Sequence, residues 1–343
     1  MMIRYLEQGE KEQCRKLWEE AFPEDRDGFL DYYMKEKASS NRILVWEEQG
    51  EILSMLHRNP YVIKAGERKW NCDYIVGVAT AKKARRRGYM RSLMTKALQD
   101  MKEEGMPFCF LMPANERLYM PFGFTCIFQG PFWELNDSGK KLEAYRLEEK
   151  MSEEQAAAWM EKWLSSRFQV YTERTGSYVK TLKEELASEC GYLEALLDGE
   201  RIVGIRGLWG EGNTEQRLLY AEDGYTREKT GHQPPIMARI TNLPRFMEAV
   251  SLQCAPGVKE MELRLNIQDP VLDENQKTYL WNLVNKTSRL ADCKKEEEGK
   301  LPLASMDIGE LTAWLMGYSH LTVPYNLAKS VKTLGKVYLD EVV

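Results

Sequence analysis

Basic side chains are concentrated in one short stretch of an otherwise acidic chain. Residues 82–96 contain seven Lys or Arg and no Asp or Glu, whereas the whole protein carries a formal net charge of −5. The stretch follows an apolar run that begins at Tyr74. It leads into a segment whose apolar residues recur at helical spacing from Leu93 to Leu98. The pattern predicts a strand, a basic loop and a helix.

The chemistry that this segment supports is anion binding. A helix that begins near Arg87 directs its free backbone N–H groups and the positive end of its dipole into the loop. Gly88 allows a ligand to approach the backbone closely. Arg86, Arg87 and Arg91 would offer guanidinium groups to a pyrophosphate. A solvated basic helix start that binds nothing is the alternative interpretation.

Composition excludes several classes of protein. A chain of 343 residues, 43% hydrophobic and 29% charged, is long enough for two or three domains. Its acidic balance argues against a broad nucleic-acid-binding face and favours cationic small molecules as partners. There is no apolar run of 18 residues and no apolar core of a signal peptide after Met1. We therefore expect a cytoplasmic protein that does not enter a membrane.

Cysteine and histidine residues give no indication of a metal site. The seven cysteines are scattered and contain no Cys-x-x-Cys pair. The three histidines, His57, His232 and His320, lie far apart in the sequence. We expect reduced thiols, most of them small core residues, and no bound metal.

The order of predicted elements divides the chain into three parts. Residues 1–135 are predicted as β-α-α-β-β-β-α-β-α-β and form the candidate catalytic domain. Residues 136–233 begin with a polar linker and contain a hairpin whose turn, Asp198-Gly199-Glu200, echoes the earlier Gln49-Gly50 turn. Residues 234–343 alternate strands and helices. The fold class predicted is α/β with mixed sheets.

The basic loop resembles the acyl-CoA loop of the GNAT acetyltransferases, whose usual pattern is Arg/Gln-x-x-Gly-x-Gly/Ala after a bulged strand. Arg85-Arg86-Arg87-Gly88 fits the first half, whereas Met90 stands where a second small residue belongs. Arg-Arg-Arg-Gly-x-(Leu/Met)-Arg is similar to the variant loop of the Eis-like (enhanced intracellular survival) acetyltransferases. Residues 235–240 and 311–318 resemble the opening strand and the helix-Gly-Tyr signature of that family's sterol-carrier-like C-terminal domain.

This resemblance implies an architecture of tandem GNAT-like domains followed by a sterol-carrier-like domain. The second GNAT-like domain would be degenerate, because residues 136–233 contain no Arg-x-x-Gly loop. An unrelated αβ linker domain is the alternative for those residues. The resemblance also implies a homo-oligomer, a hexamer in this family, and a structural or lipid-carrying role for the last domain.

The cofactor implied by the resemblance is acetyl-CoA, acting as cosubstrate. The residues that would contact it are Val78, Ala79 and Thr80 on the strand, Arg86, Arg87, Gly88, Tyr89, Met90 and Arg91 in the loop, and Ala114 and Asn115 before a short helix. An ordinary buried strand is the alternative interpretation of residues 78–80.

Two catalytic groups are also implied by the resemblance. Tyr119, in a Tyr-x-x-Phe-Gly-Phe motif, aligns with the general acid that protonates the leaving thiolate. A tyrosine has a reference pKa of about 10, above the value of about 8.5 for a thiol, so it stays protonated at neutral pH. A packed aromatic ring is the alternative. The general base would be the terminal carboxylate of Val343, with the side chain of Asp73 as the second choice.

The activity implied is acetyl transfer to a primary amine of a cationic substrate, either aminoglycoside-like, a polyamine or a lysine side chain. Acidic residues of the first two helices, Glu19, Glu20, Glu24 and Asp25, would face the amine, or they form a solvated surface. A scaffold that senses acyl-CoA or carries lipid without turnover is the alternative function. Nucleic-acid binding is disfavoured, because the basic run lacks interleaved aromatic residues beyond Tyr89.

Overall fold

The computed structural model describes residues 2–25, 27–136, 142–210, 212, 215–253, 259–294, 299–319 and 323–342. The strands of the first part are β1 (Met2–Tyr5), β2 (Arg42–Glu48), β3 (Glu51–Ala65), β4 (Arg68–Thr80), β5 (Phe108–Leu111), β6 (Thr125–Phe128) and β7 (Pro131–Leu135). Its α-helices are α1 (Arg15–Ala21), α2 (Asp27–Tyr32), α3 (Ala38–Ser40) and α4 (Tyr89–Glu103). Its 3₁₀ segments are Gln8–Cys14, Lys82–Ala84, Glu116–Leu118 and Met120–Phe122, and Tyr33–Lys37 is π-helical.

The middle part of the chain, residues 142–232 as described, contains two helices among short strands. Its elements are β8 (Glu143–Arg146), 3₁₀ segment Leu147–Glu149, α5 (Glu153–Ser165), β9 (Val170–Thr172), α6 (Gly176–Ser188), β10 (Tyr192–Asp198), β11 (Arg201–Trp209), β12 (Glu215–Ala221) and β13 (Thr226–His232). The last part contains β14 (Ile236–Ile240), α7 (Leu243–Met247), β15 (Ser251–Leu252), β16 (Glu260–Gln268), 3₁₀ segment Asp273–Asn275, β17 (Thr278–Val284), β18 (Thr287–Asp292), β19 (Leu303–Asp307), α8 (Ile308–Leu315), α9 (Tyr325–Ser330), β20 (Val331–Lys332) and β21 (Val337–Tyr338).

The largest sheet has the strand order β1-β2-β3-β4-β5-β14-β6, and β9 pairs with both β3 and β21. The sequence indicated two strands where β3 is a single one, and Pro60 is tolerated in its middle. Pro60 pairs with Asp73 of β4 on one side. On the other side the pairing with β2 stops at Arg58 and the pairing with β9 starts at Ile63, so no neighbouring strand requires the N–H group that proline lacks.

Strand β14 is the main departure from the expected organisation. The resemblance assigned this segment to the C-terminal domain, but β14 lies inside the first sheet, antiparallel to both β5 and β6. All five of its residues are buried, which suits a central strand covered on both faces. Its only charged side chain, Arg239, is neutralised by a buried ion pair with Asp269. The predicted boundary at residue 233 itself stays a prediction.

The middle part repeats the arrangement of the first four strands. Its sheet has the order β8-β10-β11-β12, as the first sheet begins β1-β2-β3-β4. Helices again separate the first strand from the second: α1 and the continuous helical run 27–40 in the first part, and α5 and α6 in the middle part. A separate core around Met160, Leu186 and Tyr220 supports it. The last part builds the sheet β18-β17-β16-β19 and shares one core with the first sheet, where Trp70 packs on Phe246. The predicted mixed α/β class is confirmed.

Two expectations from composition can be compared with this fold. Six cysteines are free thiols in the described part of the chain, three of them buried, and Cys254 lies outside the described residues. None of the described helices is long and apolar enough to cross a membrane.

Candidate active site

The candidate site is built where two parallel strands separate. β4 and β5 pair only at Asp73 with Cys109 and at Tyr74 with Phe110. Beyond these pairs β4 continues to Thr80 without β5 as a neighbour. The edge of β4 that faces away from β3 is therefore open, and alternate backbone N–H groups along it are available to a ligand.

A bulge at Gly77 accompanies this separation. The register of β3 with β4 shifts between Met55 and His57, and Gly77 has a φ angle of 59°. A Cβ atom at Gly77 would lie 2.5 Å from the indole ring of Trp18. Glycine is therefore required twice, for the left-handed backbone and for the close approach of the ring.

A cleft of about 800 Å³ opens at this point. The described residues that line it are Trp18, Phe22, Glu24, Asp25 and Phe29 from the first helices, Val76 and Gly77 from β4, Met112, Pro113 and Ala114 after β5, and Glu189, Trp209, Gly210, Glu215, Pro234 and Val342 from later segments. Aromatic rings and four carboxylates share this lining, which contains no Lys or Arg among the described residues. Such a cleft suits a cationic ligand.

The basic loop follows β4 directly and ends at the start of α4. Arg86 has a φ angle of 66° and Gly88, the N-cap of α4, has a φ angle of 84°. The side chains of Arg85, Arg86 and Arg87 are exposed to solvent. The first amides of a helix have no acceptor within the helix, so the N–H groups that begin at Tyr89 point into this loop. The structure thus brings exposed guanidinium groups and free amides together.

Three other loop residues have structural contacts. The ring of Tyr89 stacks on Trp46 with centroids 4.3 Å apart, and its hydroxyl donates to Glu48 at 2.7 Å. Met90 is half-buried against the core beneath α4. Arg91 is exposed, and its guanidinium lies 5.3 Å from the centroid of the Phe122 ring. Tyr89 therefore anchors the helix start, and only its backbone can face an anion.

The predicted contacts on β4 lie on alternating faces. Val78 packs toward α4, whereas Ala79 faces the core beneath α1 and α2. The hydroxyl of Thr80 lies 2.8 Å from the hydroxyl of Ser54. The Ser54 hydroxyl donates a hydrogen bond to the backbone carbonyl of Ala79. Side chains of residues 78–80 are thus occupied by packing, so any contact with a thioester would use the open backbone edge.

Tyr119 lies between two 3₁₀ turns that follow β5. The side-chain oxygen of Asn115 accepts a hydrogen bond from the backbone N–H of Arg117 at 3.1 Å and caps the first turn. Tyr119 is 8% exposed and packs edge-on against Phe124. Burial raises its pKa to about 12. Its hydroxyl has no hydrogen-bond partner among the described residues, so it is protonated at neutral pH and free to donate.

The chain end approaches the same cleft. Val343, the predicted terminal base, lies outside the described residues. The carbonyl of Val342, one residue earlier, accepts a hydrogen bond from the hydroxyl of Tyr74 at 3.1 Å. Val342 also lines the cleft beside Ala114. Strand β21 spans only two residues, because residues 339–342 turn toward the cleft.

Asp73, the alternative base, lies in a different environment. Its carboxylate accepts a hydrogen bond from Nε of Arg58 at 2.6 Å, with both side chains almost fully buried. Arg42 lies 3.4 Å away, and Arg58 also donates to Glu104 at 2.7 Å. This ion-pair network occupies the carboxylate of Asp73, so it does not fit the role of a base.

Half of the acidic residues suggested by the sequence reach the cleft. Glu24 and Asp25 line it, whereas Glu19 and Glu20 do not. Glu20 instead accepts a hydrogen bond from the backbone N–H of Lys82 at 2.6 Å. Two of the four carboxylates at the cleft were therefore anticipated.

Sequence reasoning missed the other two, Glu189 and Glu215. They come from the middle part of the chain, and only tertiary packing brings them to the cleft, so no local pattern could have identified them. It also missed Trp18, whose Nε1 donates to Asp25 at 2.6 Å. Burial raises the pKa of the Asp25 carboxyl. In the described part of the chain no three His, Cys, Asp or Glu side chains form a metal-binding group.

Two family models match separate parts of the chain. Residues 2–127 match the family model described as an acetyltransferase (GNAT) domain, and residues 243–337 match the model described as a sterol carrier protein domain. No curated protein sequence matches the chain significantly.

Several solved structures share the fold over nearly the whole chain. A probable N-acyltransferase of unknown function from Enterococcus faecalis has a TM-score of 0.76 at 12% identity, covering 98% of this chain and 99% of that one. A GCN5-related N-acetyltransferase from Kribbella flavida has a TM-score of 0.74 at 16% identity, covering 100% and 98%. Eis1 from Mycobacterium abscessus has a TM-score of 0.71 at 12% identity, covering 99% and 100%.

The TM-scores show a shared fold, and the family match identifies the acetyltransferase domain. The chain therefore contains an acetyltransferase (GNAT) domain followed by a sterol carrier protein domain, and it shares its overall fold with Eis1 from Mycobacterium abscessus.

Proposed function

We propose that this protein transfers an acetyl group from acetyl-CoA to a primary amine of a cationic substrate. The observation that carries the proposal is that one strand, β4, both leads into the basic loop and lines the acidic cleft. The loop complements the pyrophosphate of the cosubstrate through Arg86, Arg87 and the amides of the α4 start. The cleft complements an ammonium group through Asp25 and its neighbouring carboxylates.

The open edge of β4 lies between these two binding regions. Backbone N–H groups there stabilise the oxyanion that develops when the amine attacks the thioester carbon. Collapse of this intermediate breaks the bond from carbon to sulfur, and Tyr119 donates its proton to the departing thiolate. The products are an N-acetylated amine and CoA.

The proton of the attacking amine goes to the terminal carboxylate of Val343. The residue before it, Val342, accepts a hydrogen bond from Tyr74 of β4. A carboxylate with a pKa of about 3.5 cannot deprotonate an ammonium of about 10.4 in water, since that transfer is uphill by roughly 9 kcal/mol. Desolvation in the cleft must lower the ammonium pKa, or the carboxylate orients the amine and relays the proton through water.

The activity is tested by following thiol release from acetyl-CoA with a panel of amines. We expect polyamines and aminoglycosides to be acetylated and simple monoamines, which carry a single charge, to react poorly. If acetyl-CoA binds but releases no thiol in the presence of any amine, the scaffold function is indicated instead.

The terminal base is tested by appending a short peptide after Val343. Turnover should be lost while acetyl-CoA still binds, because the carboxylate moves away from the reacting nitrogen. The same peptide placed before Met1 is the control and should be harmless. Normal turnover in the C-terminally extended protein contradicts the assignment.

The proposed organisation includes the three domains 1–135, 136–233 and 234–343, a cytoplasmic location and a hexamer. Each follows from the resemblance or from composition and stays a prediction. A monomer mass measured by light scattering would contradict the prediction of a hexamer.

A further inference from the structure

Residues 340–342 are each held by hydrogen bonds from side chains elsewhere in the fold. The carboxylate of Asp340 accepts hydrogen bonds from Nη2 of Arg174 and from the hydroxyl of Tyr220, both at 2.6 Å. Its backbone carbonyl accepts a third from Nη2 of Arg217 at 2.9 Å. Chain termini usually fray unless such contacts tie them down. The tail therefore follows a defined path.

Glu341 is held by the same guanidinium group. Nη1 of Arg174 donates to Oε1 of Glu341 at 3.0 Å, and the hydroxyl of Tyr178 donates to Oε2 at 3.0 Å. The side chains of Arg174 and Glu341 are 0% and 2% exposed. One buried guanidinium thus binds two consecutive carboxylates of the tail.

The next residue reaches the strand that lines the cleft. Val342 accepts the hydrogen bond from Tyr74, the last residue of β4 that is paired with β5. This contact fixes the residue that directly precedes the proposed base in the sequence. The anchor at Arg174 therefore lies only two residues from the proposed base.

Stability alone does not explain such an anchor. Burying an ion pair costs desolvation energy, and packed apolar residues of similar volume often stabilise a fold equally well. A planar guanidinium that binds carboxylates through a fixed fork contributes direction instead. The arrangement favours control of position over a gain in folding free energy.

We propose that Arg174 is a positioning residue for acetyl transfer, which binds Asp340 and Glu341 and so fixes the path of residues 340–342, the segment that leads to the proposed base. This inference rests on the proposed terminal base. It gives the middle part of the chain a role in a reaction whose cosubstrate binds elsewhere.

The test uses full-length protein with Arg174→Met, which removes the fork, and Arg174→Lys, which keeps the charge. A triple variant, R174M/D340N/E341Q, leaves no unpaired buried charge and guards against misfolding. The control is R201M/E222Q, which removes an exposed ion pair of the same part of the chain. The measurements are kcat, the Kd of acetyl-CoA by calorimetry and Tm.

We expect kcat to fall about 100-fold in Arg174→Met and in the triple variant, because a misplacement of about 1 Å at a reacting group has that effect. The Kd of acetyl-CoA stays unchanged, Arg174→Lys recovers part of the loss, and the control is normal. A folded triple variant with normal kcat overturns the proposal. Parallel losses of kcat and acetyl-CoA affinity also overturn it, because they indicate a merely structural role.

The C-terminally extended protein separates this inference from the proposed function. If the terminal base is correct, extension removes turnover, and Arg174→Met lowers the residual rate no further. Normal turnover after extension overturns the terminal base and this inference together. Lost turnover after extension, combined with normal kcat in the folded triple variant, overturns this inference alone.

Discussion

The first four strands and the middle part of the chain share one arrangement but end differently. In each, a first strand is followed by helices and then by three antiparallel strands, and the sheet order is the same. β4 leads into the basic loop and α4, whereas β12 leads through Tyr225 into β13, which pairs with β7. In the described part of the chain, only the first unit therefore follows its last strand with a basic loop and a helix start.

The two units also use their last strand differently. The register shifts opposite Gly77 in β4, and it shifts again in β12, where Arg217 is the extra residue. The glycine bulge is associated with an open edge, whereas Arg217 donates to the tail beside Tyr220 of the same strand. Similar strand orders therefore support the proposed cosubstrate site in one unit and an anchor for residue 340 in the other. The difference arises because the bulge residue and the segment after the last strand differ.

The largest expected effect is at Tyr119, which has no counterpart role in the middle unit. Tyr119→Phe should lower kcat by about 10²–10⁴ with acetyl-CoA affinity nearly intact, if the hydroxyl is the general acid. Tyr145→Phe, an exposed position of the middle unit, is the control. Steady-state kinetics and calorimetry decide, and a Tyr119→Phe enzyme with normal kcat would reassign the ring to packing.

The pH dependence of the same step sharpens this test. Burial raises the pKa of Tyr119 to about 12, so its acid form persists throughout the ordinary assay range. A general acid loses activity only when it deprotonates, so kcat should not decline on account of Tyr119 below about pH 11. A basic limb near pH 9 that disappears in Tyr119→Phe contradicts this pKa.

Replacing the bulge glycine tests whether β4 is specialised. Gly77→Ala should lower the free energy of unfolding by roughly 2–5 kcal/mol, combining a left-handed alanine with a clash against Trp18. Gly199→Ala, at the hairpin turn of the middle unit, also has positive φ but open space around it, so it should cost only about 1–2 kcal/mol. Urea denaturation measures both, and equal losses would show that Trp18 does not constrain the bulge.

The basic loop should account for cosubstrate affinity. Charge-assisted hydrogen bonds contribute roughly 1.5–3 kcal/mol each, so Arg86→Ala or Arg87→Ala should weaken acetyl-CoA binding about tenfold to a hundredfold. Arg201→Ala removes an exposed arginine of the middle unit and serves as the matched control. An unchanged Kd of acetyl-CoA in both loop variants would show that Arg86 and Arg87 do not bind the cosubstrate.

The smallest effect is expected at the cleft carboxylates. Neutralising Glu24 or Asp25 should raise KM for a polycation about 1.5- to 5-fold each, the range of partly exposed ion pairs, and should affect a monoamine less. Glu19→Gln, outside the cleft, is the control. Equal effects on polycations and monoamines would favour a merely solvated surface.

Much of the first unit follows from local sequence signals. The apolar run, the basic loop and the helical spacing from Leu93 predicted β4, the loop and α4 in the right order, with the helix start displaced by two residues. The hairpin turns at Gly50 and Gly199 were also recognised, because glycine at positive φ is a local requirement. The short strand β9 was missed, since its pairing partners, β3 and β21, lie far away in sequence. Strand β12 was missed as well, although its partner β11 directly precedes it.

The sequence by itself therefore determined which residues can bind a phosphate, cap a helix or donate a proton, because those properties depend on side-chain type and short spacing. Only the tertiary structure decided the rest. It placed β14 in the first sheet and brought Glu189 and Glu215 to the cleft. It also paired the carboxylate of Asp73 with the guanidinium of Arg58 in a buried ion pair. These outcomes depend on burial and on contacts between distant segments, which a linear pattern does not encode.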